Sequence, residues 1–402
     1  MDARAEEGER RLSLRSALLF ASLVVLSPAF AHATDENGGP TGLGHVRDDE
    51  GAIEITPTGS DSVLKISPRG SLQLRASVPF EDTTGYSVAH GDVAETRGFL
   101  VRRARIGLDA TIVNQVTAHV SSDLYDGLMP SAGKTPIFLA WANVDLRLFQ
   151  ARAGFLRVPF TRHSLVDETR QVFLEPPAAW RADRYGYAPS GTTSVLPDRR
   201  VGLQMHEDYG LFNFAVGAFS GGLLAPESAE SLLVAGRVEV TPWLAPPIEG
   251  AFFKGDFEER DARVALSLGG LGRVGPDGSS QAGSLAVAFS YHGLYASVEG
   301  VLGRSTTADG SAAYGQRALV LDLAYRFPVL LQGFELCLRG DLFSTSAQGP
   351  ASELRGLWAV ANLYVWRHRV KASTLFHATG ALAASGTDRA RQEAIVELTV
   401  GF

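Results

Sequence analysis

Ala394-Ile395-Val396-Glu397-Leu398-Thr399-Val400-Gly401-Phe402 is the stretch on which the fold turns. Ala394, Val396, Leu398, Val400 and Phe402 fall on one face, and Ile395, Glu397, Thr399 and Gly401 on the other. Period two marks a strand, and an apolar face opposite a more polar one sets one side of it against a greasy medium. Working back from this run, the same alternation recurs through most of the chain. Val370, Ala372, Thr374 and Phe376 share a face, as do Leu357, Ala359, Ala361 and Leu363. Phe334/Leu336/Leu338, Leu319/Leu321/Leu323/Tyr325, Leu294/Ala296/Val298 and Leu285/Val287/Phe289/Tyr291 continue the pattern. Further back come Val264/Leu266/Leu268, Val234/Val238/Val240, Phe212/Phe214/Val216, Val201/Leu203/Met205, Phe149/Ala151/Ala153/Phe155 and Phe138/Ala140/Ala142/Val144. Val116/Ala118/Val120, Leu100/Ala104/Ile106/Leu108/Ala110 and Leu72/Leu74/Ala76/Val78 complete the set.

Tight connections are expected at Ile112–Asn114, near Leu148, at Asp208-Tyr209-Gly210, at His292-Gly293, near Phe327–Gln332 and at Arg367-His368. Longer ones are expected at 79–98, 125–136, 157–198, 220–231, 270–282, 304–316, 344–355 and 378–391. Short and long alternate if Pro242–Arg260 is a long connection on the short-turn side, and the count is then 16. A strand at Ile248–Gly255 would raise it to 17 or 18; an even number is the rule for closed membrane barrels. The expected fold class is an all-β transmembrane antiparallel barrel over residues 70–402.

The N-terminus points to export. Arg10, Arg11 and Arg15 precede the apolar run Ala17–Leu26, and Ala29-Phe30-Ala31 and Ala31-His32-Ala33 have the small-x-small form. A basic start, a short apolar middle and a small-residue cleavage site make residues 1–33 a signal peptide, cut after Ala31 or Ala33. Residues 34–69, rich in Gly, Asp, Glu, Pro and Thr, read as a flexible segment with room for a short extended piece around Val63–Ile66. The single cysteine, Cys337, excludes an intrachain disulfide framework. The net charge of -7 and the lack of a basic face argue against nucleic acid. The nine His fall at no metal-ligand spacing, and neither a metal nor a cofactor is expected. With 45% hydrophobic residues but no unbroken run near 20, helix-spanning is excluded while a β-barrel is not, because alternating strands average out to modest hydropathy. Its last strand resembles that of bacterial outer-membrane barrels, where a final aromatic, here Phe402, is part of the signal read by the barrel-assembly machinery. Outer-membrane lipid and lipopolysaccharide are then the surroundings.

A 16-stranded barrel has a lumen too wide for its own side chains to fill. The outlying connection, 157–198, carries apolar anchors in Val158-Pro159-Phe160, Val172-Phe173-Leu174 and Trp180. It also holds Arg157, Arg162, His163, Arg170, Arg181 and Arg184. Long connections of this kind are often functional, and this third external loop is expected to fold inward as a constriction. By alternation Arg75, Arg103, Arg105, Arg152, Arg200, Arg237, Arg263 and Arg339 face the lumen. Eight acids do too: Asp109, Asp123, Asp145, Glu239, Glu299, Glu335, Asp341 and Glu397. The signs balance overall, but Arg75, Arg103 and Arg105 cluster on the first two strands, and a concentrated basic wall attracts anions. The candidate anion-contacting set is Arg75, Arg103, Arg105 and Arg152 on the wall, with Arg157, Arg162, His163 and Arg170 on the loop. Arg102 has lipid-facing parity near a strand end, within reach of headgroups.

Three segments carry a more specific likeness. Phe99-Leu100-Val101-Arg102-Arg103-Ala104-Arg105-Ile106-Gly107-Leu108 resembles the double-Arg second strand of the phosphate-selective porin O and P family. Gly154-Phe155-Leu156-Arg157-Val158-Pro159-Phe160, with Arg162 and Arg170-Gln171-Val172-Phe173-Leu174-Glu175, is similar to that family's G-x-[FL]-K-x-P-F-G strand end and following loop. Asp198-Arg199-Arg200-Val201-Gly202-Leu203-Gln204 resembles its R-x-x-G return strand, so the likeness spans about residues 70–220. The resemblance implies a homotrimeric porin that passes inorganic anions such as phosphate as small permeants. Two departures stand out: the loop has no Lys where phosphate-specific members cluster them, and Thr161 replaces the Gly after Pro-Phe.

The rival readings are a non-conducting structural barrel and a barrel enzyme. His119 and Ser121 share a strand face, but the sequence offers no evident third member for a nucleophile–base set. Gly270-Leu271-Gly272-Arg273-Val274-Gly275 matches G-x-G-x-x-G, but between alternating strands it lacks the strand–turn–helix setting of a dinucleotide site.

Overall fold

The computed structural model describes residues 46–47, 52–55, 64–82, 98–112, 115–124, 137–165, 172–177, 199–220, 231–242, 262–276, 278–307, 310, 313–327, 333–346, 352–366, 370–382 and 388–401. The expected signal peptide, Arg170, most of 157–198, the 242–260 connection beyond Pro242 and the terminal Phe402 lie outside them. Sixteen barrel strands follow one another: β1 (Leu64–Asp82), β2 (Gly98–Ile112), β3 (Val116–Asp123), β4 (Ile137–Asp145), β5 (Gln150–Arg157), β6 (Arg199–Asp208), β7 (Phe212–Ser220) and β8 (Leu232–Val240). Then come β9 (Arg263–Gly275), β10 (Gly278–Tyr291), β11 (Leu294–Thr307), β12 (Ala313–Arg326), β13 (Phe334–Ser346), β14 (Ser352–Trp366), β15 (Val370–Leu382) and β16 (Asp388–Gly401).

Each strand pairs antiparallel with the next, and β16 pairs with β1 (Leu398↔Leu74, Glu397↔Arg75), so the sheet closes. Closure leaves no barrel edge unpaired, which a lipid surround demands. β8 pairs directly with β9 (Val240↔Leu266), so Ile248–Gly255 adds no strand between them and the count is 16.

The faces are inverted relative to a soluble protein. Leu266, Leu268, Leu321, Leu338 and Leu398 are exposed on the outside, while Arg75, Arg339, Glu299 and Glu397 are buried within. Apolar-out, polar-in alternation is the signature of a membrane barrel. Aromatic rings gather near the tight turns: Tyr209, Phe212 and Phe214 lie within 6.4 Å of one another, and Phe327 lies 5.0 Å from Tyr325 and 5.6 Å from Phe334. Amphipathic rings favour such a membrane–water boundary. Among the described residues, the tight turns near Leu148, at Asp208-Tyr209-Gly210 and at His292-Gly293 fall where the sequence placed them. At His292-Gly293 both φ angles are positive (45° and 82°), as a two-residue type I′ hairpin needs.

Several expectations are corrected. β1 begins at Leu64 rather than near residue 70. Below the point where β16 ends, its free edge at Leu64–Ile66 pairs with Ala52–Ile55, which in turn pairs with Val46–Arg47. The stretches 270–282 and 304–316, expected as long connections, are mostly strand, because β9 and β10 remain paired through Gly275↔Gly278 and β11 runs to Thr307. Their Gly and Ser content imitates loop chemistry. The G-x-G-x-x-G stretch accordingly lies in β9.

The ladders shift register at four places among the described residues, and two of these bulges re-aim residues whose faces the sequence predicts. One falls on β2, where Gln73 pairs Arg103 but Leu74 pairs Val101, leaving Arg102 as the extra residue. The other falls on β4, where Ser121 pairs Leu139 but Ser122 pairs Ile137, leaving Phe138. An extra residue re-aims its side chain. Arg102 bonds inside the barrel rather than reaching headgroups, and Phe138, expected on the outer face, is buried.

Candidate functional site

β5 ends at Arg157 and the chain turns inward. Pro159 cannot donate to a ladder, and Phe160 N–H donates to Val158 O at 3.0 Å across it, the tight three-residue turn that redirects the backbone. Val158 and Phe160 are fully buried. The Phe160 carbonyl accepts from Ser284 Oγ (2.9 Å) on β10. A Cβ on Gly269 of β9 would sit 2.0 Å from that carbonyl oxygen, so only glycine leaves room for this seat.

Thr161, the departure from the family pattern, starts the short helix α1 (Arg162–Leu165). Its Oγ1 accepts from Ser164 N–H (3.2 Å) and Ser164 Oγ accepts from Thr161 N–H (3.3 Å), a reciprocal capping arrangement. Glu299 of β11 accepts from the backbone N–H groups of Arg162 (2.6 Å) and His163 (3.2 Å). The His163 ring lies between two carboxylates: Nδ1 meets Glu299, and Nε2 meets Asp322 Oδ2 of β12 at 3.0 Å. Burial pulls the His163 pKa down, but the hydrogen bonds and charges of Asp322 and Glu299 outweigh it, and the pKa rises above its ordinary value. The imidazolium is therefore the favoured form.

The loop's second described segment is fastened further round the wall. Val172 O accepts from Asn362 Nδ2 (2.8 Å) of β14. Phe173 lies under the Arg339 guanidinium of β13, 3.9 Å from its ring centroid. Arg339 also donates to Glu175 O (2.8 Å) and Asp322 Oδ1 (2.7 Å), joining the two anchorages. The Glu175 carboxylate is gripped by Arg75 (2.8 Å), Arg102 (2.8 Å) and Arg103 (3.1 Å). Arg75 Nε also donates to Glu397 (2.8 Å) on β16, and Arg103 to Gln73 (2.6 Å). Arg75, Glu175 and Glu397 are each no more than 1% exposed. Removing one partner from such a buried ionic set costs about 3–5 kcal/mol, because it strands a desolvated charge.

A third group surrounds Phe138. The guanidinium carbons of Arg105, Arg199 and Arg157 lie 3.5, 3.6 and 5.8 Å from its ring centroid. Arg105 is also paired with Asp123 (2.8 Å), and Arg157 donates to Ser164 O (3.2 Å). Arg152 sits apart, 4.2 Å over Trp141.

The structure thus divides the expected set. Arg75 and Arg103 hold Glu175, Arg162 and His163 meet Glu299, and Arg105 and Arg157 meet at Phe138. Glu175 and Asp322 were absent from the expected set, although an acid amid loop arginines was a visible signal. No family model and no curated protein matches the chain. Solved structures do. The anion-selective porin from Comamonas acidovorans superposes with a TM-score of 0.58 at 12% identity, over 84% of this chain and 100% of that one. A loop-deletion form of OmpT, an outer membrane protein of Vibrio cholerae, gives 0.58 at 9% identity, over 84% and 99%. The outer membrane channel DcaP of Acinetobacter baumannii gives 0.53 at 10%, over 84% and 97%. At these identities the likeness is one of fold.

Proposed function

We propose that this chain is a bacterial outer-membrane porin, a water-filled channel for passive diffusion of small hydrophilic solutes with a lean toward inorganic anions such as phosphate. The observation that carries the reading is the loop fastened across the interior of a closed barrel, from β5 to Glu299 and Asp322, then to Arg339 and to Glu175's three arginines. A wide barrel crossed by one pinned segment leaves an aqueous passage narrowed beside that segment.

The anion lean rests on Arg105, Arg157 and Arg199 around Phe138. An aromatic face gathers the guanidiniums in one place, and their planar forks suit oxyanions. Arg75 and Arg103 serve the channel as fasteners of the loop, and Arg152 and Arg170 complete the expected basic set. The porin assembles as a homotrimer in outer-membrane lipid and lipopolysaccharide, delivered by the barrel-assembly machinery through Phe402. One of the similar folds, the Vibrio cholerae OmpT, is known as a trimer form.

Reversal potentials under a KCl gradient, followed by phosphate titration, test the reading. A potential on the anion side that falls when Arg105 and Arg199 are both changed to Ala supports it, and block by low phosphate would mark a specific site. A selective wild type whose potential is unmoved by those changes overturns the basic cluster. A folded barrel without conductance overturns the channel in favour of a structural role.

A further inference from the structure

We infer that Asp109, His119 and Ser121 form a hydrolytic triad in the lumen wall, an activity separate from the channel, directed at small carboxylic esters. The three residues sit on the β2–β3 hairpin close to its tight turn, and the register places Asp109 opposite His119 and Gly107 opposite Ser121. Asp109 Oδ1 lies 2.5 Å from His119 Nδ1, and His119 Nε2 lies 3.0 Å from Ser121 Oγ. That is the order in which a carboxylate orients an imidazole and the imidazole activates a hydroxyl. His119 stacks on Trp141 of β4 (5.4 Å, 21°), which fixes the ring plane. Unlike His163, the group is open to solutes: the side chains of His119 and Asp109 are 15% and 25% exposed.

The backbone beside the triad is close-packed. A Cβ on Gly107 would stand 3.2 Å from both Ser121 Cβ and the Val120 carbonyl oxygen and 3.7 Å from His119 Cε1, so a side chain there would crowd the hydroxyl and the ring. Arg69, opposite Gly107 on β1, brings its guanidinium to Asp109 Oδ2 and fixes the carboxylate beside His119.

With an ester carbonyl brought to Ser121 from the lumen, Ser121 Oγ bonds to the carbonyl carbon and its proton passes to His119 Nε2. The carbonyl oxygen becomes an oxyanion facing the lumen. Collapse breaks the bond to the alcohol oxygen, and the alcohol leaves with the proton from Nε2. Water then adds to the acyl carbon and gives a proton to Nε2. The second collapse frees the carboxylic acid and returns that proton to Ser121 Oγ. Asp109 holds the Nδ1 proton throughout.

The test uses the full chain refolded in detergent, with p-nitrophenyl butyrate as substrate and a fluorophosphonate as covalent probe. Folding of each protein is checked by its shift in gel mobility on heating. We expect a burst of nitrophenolate and phosphonylation mapped to Ser121 in the unmodified chain. Ser121→Ala should abolish both, and Asp109→Asn should slow turnover by roughly 10³–10⁴-fold. Gly107→Val should remove turnover by crowding Ser121 and the His119 ring. Phosphonylation of the folded, unmodified chain anywhere but Ser121, or turnover that persists in folded Ser121→Ala, overturns the triad. The labelling site is read without any variant, so a variant that fails to fold leaves the decision intact.

Discussion

Glu175 joins three guanidiniums from two strands, and its charge is the reason those strands can bury them. Changing Glu175 to Gln keeps the shape but leaves Arg75, Arg102 and Arg103 short of negative charge. We expect a loss of about 3–5 kcal/mol in the urea unfolding of the barrel, together with a shift of reversal potential toward anions. His163 supplies a pH dependence of definite sign. Its folded pKa is raised, so its contribution is complete below the unfolded value near 6.5 and is lost as pH rises through the folded one. Loop fluctuations in single-channel records should therefore grow on the alkaline side, and His163→Ala should show them at every pH. At this scale the sequence was only half legible. Parity gave the inward course of Arg75 and Arg103, but no local signal announces the Arg102 and Phe138 bulges, which arise from pairing with the neighbouring strands.

Among the elements, the loop depends on the wall as much as on itself. Its seat on β9 exists because Gly269 has no side chain. Gly269→Val should leave the strand content intact by circular dichroism yet unseat Phe160, seen as trypsin cleavage after Arg162 that the unmodified barrel resists. Thr161→Ala removes the cap of α1 and should cost about 1 kcal/mol, with the loop opening more readily in the same proteolysis. The anchors Val158-Pro159-Phe160 and Val172-Phe173-Leu174 were readable as an apolar pattern in a polar connection. Their partners were not, because Gly269, Ser284 and Asn362 lie far away in sequence and carry no mark of a docking surface. The same limit hid Asp109: it meets His119 across a hairpin register that turn position alone leaves open by a residue.

At the scale of the whole molecule, period-two alternation and connection length were enough for a closed barrel of 16 strands, because every strand faces the same two media. The Gly/Ser-rich extensions of β9 and β10 escaped that reading, since small residues carry little contrast between faces. The seam itself makes a further prediction. Arg75 touches Glu397 of the last strand and Glu175 of the loop with one guanidinium. Arg75→Ala should lower the temperature at which the barrel loses its compact gel mobility, and loop cleavage should appear at that same temperature rather than before it. The shared guanidinium has a consequence in time. Arg75 lies on the first barrel strand and Glu397 on the sixteenth, so the full grip on Glu175 cannot be completed until that sixteenth strand has been made. The barrel is thus finished from its circumference inward, and its innermost fastening doubles as a register of whether its first and sixteenth strands have met.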